Sequence, residues 1–190
     1  ITEMGILKQF TMKDMLKLIK GLKRANADRI KPLTKAISDR ILEMLPTLSR
    51  DDIREGIVKI ASVGSKQSLE VLEHVLNGII TEKILTLDET NSICSYILAT
   101  IKQGKVRRLI SNVYRGIINS YLDTNDYDRA MGALITAIRH GIVDSILMDS
   151  SIRVRFSKVK QISEAMGYSL LLNLTRVDIL PRISLLSDII

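Results

Sequence analysis

The chain has 190 residues, with 28 Lys and Arg against 21 Asp and Glu, and a formal net charge of +7. Hydrophobic residues make up 46% of it and it holds three Pro and ten Gly, which excludes a disordered, low-complexity or collagen-like chain. No apolar run approaches the roughly 20 residues that cross a bilayer. The single cysteine, Cys94, excludes an intrachain disulfide and favours a reducing compartment only weakly.

A short pattern returns along the chain: a Ser or Thr, then acidic residues, then an amphipathic run. These hydroxyl residues, here called the anchors, lie 38, 37, 38 and 39 residues apart. They are Thr11, Ser49, Thr86, Thr124 and Ser163. A Ser or Thr before a helix accepts a hydrogen bond from an unpaired N–H of the first turn, and nearby acids suit the positive end of the helix dipole. Each anchor is therefore predicted to cap a helix, and the period indicates stacked supersecondary units.

Two helices are predicted in each repeat. The first carries a large aliphatic residue eleven positions after its anchor. These residues are Leu22, Ile60, Ile97, Ile135 and Leu174. The second helix shows apolar residues three and four positions apart, as in Val71, Val75 and Ile79, which is typical of an amphipathic helix. Connectors that contain Gly or Asn, the usual helix-ending residues, separate the two helices. They lie at 26–28, 64–66 and 103–105.

These patterns predict an all-α fold, an α-solenoid of stacked helical hairpins with about 38 residues per repeat, in a single domain. The repeats cover about 10–47, 48–84, 85–122 and 123–161, with a partial repeat at 162–190. Residues 149–160 fit a helix and, because Ile152, Val154 and Phe156 alternate with arginines, also a strand. A non-repeating helical bundle is the alternative fold. The first residue is Ile1 rather than Met, so we expect a fragment of a longer or processed chain.

The basic residues concentrate in three zones. The first lies in the first repeat, the second in a stretch without acids from Thr90 through Leu122, and the third between Ser150 and Ser163. Cations on successive repeats form a stripe that attracts a phosphate backbone. The candidate nucleic-acid contacts are Lys13, Lys17, Lys20, Lys23, Arg24, Lys102, Lys105, Arg107, Arg108, Arg153, Arg155, Lys158 and Lys160. The alternative is that these charges only solvate the outer helix faces.

Three aromatic residues lie in or beside the second and third basic zones. Tyr114 and Tyr121 belong to the second zone and Phe156 to the third. Single-stranded bases stack on aromatic rings, so this placement permits base stacking. Core packing is the favoured interpretation for all three.

Motifs of catalysis are absent from the sequence, which has no Gly-rich phosphate loop, HExxH or GxSxG. His74 and His140 have no neighbouring acid and nucleophile, and Cys94 falls in a predicted core column. The acid pairs Asp51–Asp52 and Asp126–Asp128 fall in predicted first turns, where dipole compensation explains them. We therefore expect no enzyme activity, cofactor, metal or small-molecule substrate.

The repeat length and its Ser/Thr-plus-acid opening resemble the heptatricopeptide and octotricopeptide families of organellar RNA-binding proteins, which include the FAST-kinase-like and RAP-domain proteins. The stretch from Phe10 to Ile19 (FTMKDMLKLI) carries the resemblance best, followed by that from Leu48 to Ile53 (LSRDDI). The resemblance implies mitochondrial or plastid RNA processing, editing, stability or translation. ARM and HEAT repeats, at about 40–47 residues, are a close competitor.

Taken together, these features predict a non-catalytic helical-repeat module that binds RNA through phosphates, within a larger complex and without membrane insertion. The resemblance alone implies a mitochondrial ribonucleoprotein assembly as its setting. The fourth position after each anchor shows no consistent polar residue, so no one-residue-per-base code is expected. These residues are Met15, Ile53, Thr90, Asp128 and Gly167. The alternative function is a protein-binding scaffold that holds a peptide or helix in its groove.

Overall fold

The computed structural model describes residues 6–25, 27–142, 146 and 149–157. Within these residues the fold is all-α, as predicted, with no strand. The helices are α1 (Met12–Gly21), α2 (Ala27–Met44), α3 (Arg50–Val63), α4 (Lys66–Thr81), α5 (Leu87–Thr100), α6 (Gly104–Asp123), α7 (Tyr127–Arg139) and α8 (Ser150–Ser157). Short 3-10 turns follow α1 at Leu22–Arg24 and α2 at Leu45–Thr47.

Three of the predicted helix caps are confirmed. The hydroxyl of Thr11 accepts from the backbone N–H of Asp14, that of Ser49 from Asp52 and that of Thr86 from Glu89. At Thr11 and Thr86 the acid also accepts a hydrogen bond from the anchor's own backbone N–H, which completes a capping box. The pattern succeeds here because a cap depends only on residues three positions apart.

The fourth predicted cap is wrong. The hydroxyl of Thr124 donates to the carbonyls of Ser120 and Tyr121 at the end of α6, at 3.3 and 3.0 Å. Asp126 caps α7 instead, through the backbone N–H of Arg129. The chain first makes a tight turn here, in which Asn125 adopts a left-handed conformation with a φ of 57°. The fifth anchor, Ser163, lies outside the described residues.

The chain divides into two compact units, residues 1–109 and 110–190, with the boundary inside α6. In the first unit α1 packs against α3 and α3 against α5, while α2 packs against α4. Each of these two rows holds alternate helices of the sequence. Sequential helices also touch, since α1 contacts α2, α3 contacts α4 and α4 contacts α5.

The core of the first unit follows the predicted columns in part. Ile60 and Ile97 are fully buried, and so are Val71, Val75 and Ile79 of α4. Burying such an aliphatic side chain contributes about 1.5–3 kcal/mol.

Two other members of the eleventh-position column behave differently. Leu22 is only half-buried because it begins the 3-10 turn after α1 rather than lying within the helix. Leu174 lies outside the described residues.

The second unit contains the C-terminal part of α6, then α7 and α8. Its buried side chains include Ile117, Met131, Ile135 and Phe156. The hydroxyl of Ser111 donates to the carbonyl of Ile142 at 3.3 Å. Of the segment 149–160, which fitted a helix or a strand, residues 150–157 are helical, and 158–160 lie outside the described residues. No helix in the described part of the chain combines the length and the apolar character needed to cross a membrane.

Candidate nucleic-acid interface

Three turns of the first unit lie side by side along one edge. The side-chain nitrogen Nε2 of Gln67, at the start of α4, donates to the carbonyl of Ala25, after α1, at 3.0 Å. A Cβ added to Gly64, which ends α3, would overlap the side-chain amide of Gln103, and the amide carbon Cδ lies 2.7 Å from that position. The α1–α2, α3–α4 and α5–α6 turns are therefore successive neighbours.

This edge presents cations from all three turns. We call it the basic edge and define it by its exposed basic side chains. They are Lys20, Lys23, Lys66, Lys102, Lys105 and Arg108. The edge unites part of the first predicted zone with cations from the part of the second zone that belongs to the first unit. Neighbouring exposed cations of this kind attract a phosphate backbone.

Acidic residues concentrate at the other ends of the same helices. The first turns of α3 and α5 hold Asp51, Asp52, Asp88 and Glu89, whereas those of α4 and α6 hold no acid. Helices α3 and α5 begin where α2 and α4 end, so their acidic first turns fall on the opposite side from the basic edge. The uncompensated first turns of α4 and α6 leave the positive ends of their helix dipoles at the basic edge.

The acid-rich side is also held together by contacts between its turns. We call it the acidic edge and define it by Glu43, Glu82 and the four first-turn acids above. Arg50, the first residue of α3, forms an ion pair with Glu89 of α5 at 2.9 Å. A groove of about 560 Å³ lies between the ends of α2 and α4. Its lining residues are Asp39, Leu42, Glu43, Pro46, Glu82 and Ile84.

The remaining basic residues of the first predicted zone do not all reach the basic edge. Lys13 and Lys17 are both exposed on α1, but Lys13 lies in its first turn, and Lys17, in its middle, pairs with Asp14 at 3.5 Å. The structure does not describe the side chain of Arg24. Arg107, from the second zone, is half-buried and donates to the carbonyl of Leu98 at 3.4 Å. Its guanidinium therefore stabilises the turn that carries Lys102.

The third basic zone is described only in part, and its described basic side chain makes contacts within the fold. Arg155 is half-buried in the second unit, where it pairs with Asp123 at 2.8 Å and donates to Asn119 at 3.4 Å. It therefore joins α8 to α6 and contributes to internal packing. The side chain of Arg153 is not described, and Lys158 and Lys160 lie outside the described residues.

Sequence reasoning missed Lys66, although a signal for it was present. Lys66 is the first residue of α4 and directly follows its N-cap, Ser65. Lys105 stands close to the equivalent place in the next hairpin, as the second residue of α6. A lysine opening the second helix of successive repeats marks the basic edge, but Lys66 belongs to no dense charge cluster.

The aromatic residues named from the sequence are core residues. Tyr114, Tyr121 and Phe156 are all buried, as the favoured interpretation predicted. Tyr96 of α5 is instead 49% exposed, and the guanidinium carbon of Arg54 lies 5.8 Å from the centre of its ring. The tenth position after the anchor, which holds Tyr96, is also exposed in the first two repeats, at Gly21 and Lys59.

The two histidines and the cysteine make contacts within the fold. Nε2 of His74 in α4 lies 2.9 Å from a carboxylate oxygen of Asp39 in α2, which links the two helices. His140 ends α7, and its backbone N–H donates to Thr136. Cys94 is buried, and burial raises the pKa of its thiol to about 12, so it is not a nucleophile at neutral pH.

The paired acids serve as caps and surface ion pairs. Asp52 lies 2.5 Å from the hydroxyl of Ser49, Asp51 pairs with Arg54 at 2.9 Å, and Asp126 caps α7. Among the residues that the structure describes, no three His, Cys, Asp or Glu side chains are grouped to hold a metal ion.

No protein-family model, curated protein or solved structure matches this chain. Membership of the heptatricopeptide and octotricopeptide group therefore stays a prediction from the sequence.

Proposed function

We propose that this chain is an α-solenoid module that binds RNA by neutralising phosphates along the basic edge. The alternate-row packing of α1, α3 and α5 and of α2 and α4 supports the solenoid, as do the three turns in series. The single observation that carries the binding proposal is that three neighbouring turns each carry exposed cations. These are Lys20, Lys23, Lys66, Lys102, Lys105 and Arg108.

The proposed mechanism is electrostatic. Each lysine or arginine that contacts a phosphate releases condensed counterions, so the affinity falls steeply as salt is added. The long, exposed side chains contact the backbone without fixing base identity, which gives binding with little sequence preference. The resemblance supports an organellar RNA-processing assembly, in mitochondria, as the setting of this binding.

The test compares two triple variants of equal charge change. The edge variant carries Lys23→Gln, Lys66→Gln and Lys105→Gln. The control carries Lys8→Gln, Lys35→Gln and Lys83→Gln, three exposed lysines away from the basic edge. Affinity for an unstructured RNA oligonucleotide is measured by fluorescence anisotropy across a salt series.

The edge variant should bind more weakly and lower the slope of log affinity against log salt by about 2, since each single-strand phosphate contact contributes about 0.7. The control should keep the wild-type slope. Equal losses in both variants would show that only net charge matters, and the basic edge would not be the site. Absence of RNA binding at low salt would reject the function itself.

The groove on the acidic edge favours a second candidate, a scaffold for a protein segment. Its carboxylates, Asp39, Glu43 and Glu82, surround the apolar Leu42 and Ile84. This combination suits a basic segment with an apolar side chain, and helical repeats commonly bind partners along extended surfaces. Partner recovery that is unchanged by nuclease but lost in Glu43→Gln/Glu82→Gln would support the scaffold.

A further inference from the structure

We propose that Tyr96 and Arg54 form a stacking site for an unpaired base of the bound RNA strand. This inference rests on the proposed function and adds a specific position to it. In the part of the chain that the structure describes, Ile6, Tyr96 and Val154 are the exposed large hydrophobic side chains, and Tyr96 alone of them is aromatic.

Arg54 supports one face of the Tyr96 ring. The two residues belong to neighbouring helices, α3 and α5, and the guanidinium carbon lies 5.8 Å from the ring centre. Asp51, one turn earlier on α3, pairs with Arg54 at 2.9 Å and so orients the guanidinium. The quadrupole of an aromatic ring attracts a cation that lies over its face. The ring is thereby held in place, and its exposed surface is offered to a ligand.

The position of Tyr96 connects it to the basic edge. Tyr96 lies one helical turn, about 6 Å, before Thr100, the last residue of α5. Lys102 and Lys105 follow directly in the turn and in α6. A strand whose phosphates contact these two lysines reaches the ring by extending about one turn along the outer face of α5, toward the side on which Arg54 and Asp51 lie.

The ligand class follows from the chemistry of the ring. An unpaired nucleobase has a flat π-face that stacks on tyrosine, whichever base it is. Bases inside a duplex are already stacked on their neighbours, so the site selects single-stranded over double-stranded RNA.

The chain contains no Trp, so Tyr96→Trp creates a single fluorescent reporter at the site. The probes are a single-stranded oligouridylate, an abasic oligomer of the same length and charge, and an RNA duplex. Oligouridylate should quench the tryptophan, whereas the abasic oligomer and the duplex should not. Quenching of the same size by the abasic oligomer would overturn the stacking site.

Affinity measurements provide the second readout. Tyr96→Ala should weaken oligouridylate binding roughly 5- to 150-fold, because a base–aromatic stack contributes about 1–3 kcal/mol. Binding of the abasic oligomer and the salt slope should stay at wild-type values, and Tyr96→Phe should retain most of the affinity. Val154→Ala, which truncates another exposed apolar side chain, is the matched control and should have no effect.

The two proposals fail in different ways. Unchanged oligouridylate affinity in Tyr96→Ala, with the salt dependence of the basic edge intact, would reject the stacking site and leave phosphate binding standing. Absence of oligouridylate binding by the wild-type chain would reject both. Circular dichroism of each variant checks that the fold is retained.

Discussion

Thr86 and Glu89 form two reciprocal hydrogen bonds at the start of α5. Its hydroxyl accepts from the N–H of Glu89 at 3.2 Å, and a Glu89 carboxylate oxygen accepts from the Thr86 N–H at 2.8 Å. Thr124 carries the same side chain at the same position of the next repeat, yet it caps no helix in the described structure. The two threonines therefore form a natural pair for measuring what the cap contributes.

We expect Thr86→Ala to lower the free energy of unfolding by about 0.5–2 kcal/mol, the usual cost of losing a hydroxyl cap. Thr124→Ala should cost less, because its hydroxyl only donates to carbonyls that already end a helix. Urea denaturation followed by circular dichroism measures both. A larger loss at Thr124 than at Thr86 would contradict the assignment of the caps.

Glu89 makes part of this stability dependent on pH. The backbone N–H of Thr86 is the main cause that lowers the pKa of Glu89 below 4.5, with the Thr86 hydroxyl and Arg50 adding to it and burial opposing it. A carboxyl with a lowered folded-state pKa stabilises the fold above its unfolded-state pKa, and this contribution is lost as the pH falls through the folded-state value.

The wild-type chain should therefore be more stable than Glu89→Gln at neutral pH, and the difference should shrink as the pH falls below 4.5. Urea unfolding at a series of pH values measures the difference directly. A difference that stays constant, or grows on acidification, would mean that the ionised carboxylate does not contribute to the fold.

At the scale of single residues, the sequence predicts contacts between residues that are close together in the chain. The caps at Thr11, Ser49 and Thr86 depend on residues three positions apart, so the sequence alone indicates them. Tyr96 was missed because its exposure depends on how α3 and α5 pack together, and a tyrosine in an apolar helix resembles a core residue. The ion pair of the half-buried Arg155 was not predicted, because its partner, Asp123, lies 32 positions earlier in the sequence.

At the scale of the helices, the turns of the basic edge depend on close contact between backbone and side chain. Gly64 ends α3 with a φ of 64°, a left-handed conformation that strains any residue with a Cβ. The side chain of Gln103, from the α5–α6 turn, occupies the space that this Cβ would take. One position therefore combines a conformational requirement with a contact between repeats.

Gly64→Ala should destabilise the chain by at least about 1–2 kcal/mol from backbone strain, plus the cost of displacing Gln103. Adding Gln103→Ala should remove the steric cost of Gly64→Ala and leave its backbone strain. The effects of the two changes on the free energy of unfolding should therefore not be additive. Gly104→Ala is the control, since nothing lies within 4 Å of its added Cβ. Simple additivity in the double variant would show that the Gln103 side chain moves aside at no cost.

The connectors show what a period alone leaves undetermined at this scale. The Gly-containing connector at 64–66 was predicted to end a helix, and Gly64 does so. In the connector at 103–105, Gly104 instead begins α6, and α5 ends with Ile101 in an extended conformation. Composition identifies the turn, but the packing of the next helix decides which residue closes it.

For the molecule as a whole, the net charge of +7 conceals a separation of charge within the first unit. The sequence locates the basic zones, but it does not show which of their residues share an edge. That depends on how the turns of successive hairpins pack together. Lys66 and Glu82 show the consequence, since they lie at opposite ends of α4, whose 16 residues span about 24 Å. One helix therefore connects the proposed RNA-binding edge to the acidic edge.

This separation predicts how distant carboxylates affect RNA binding. The Debye length is about 10 Å at 0.1 M salt and about 30 Å at 0.01 M, so charges 24 Å apart are screened from each other in the first case only. Glu43→Gln/Glu82→Gln should therefore leave the RNA affinity of the full chain unchanged at 0.1 M and raise it at 0.01 M. Anisotropy titrations at both salt concentrations measure this, with Asn77→Ala, an uncharged exposed change on α4, as the control. A strong rise in affinity already at 0.1 M would place the strand beside the acidic edge, because only a nearby charge escapes screening there.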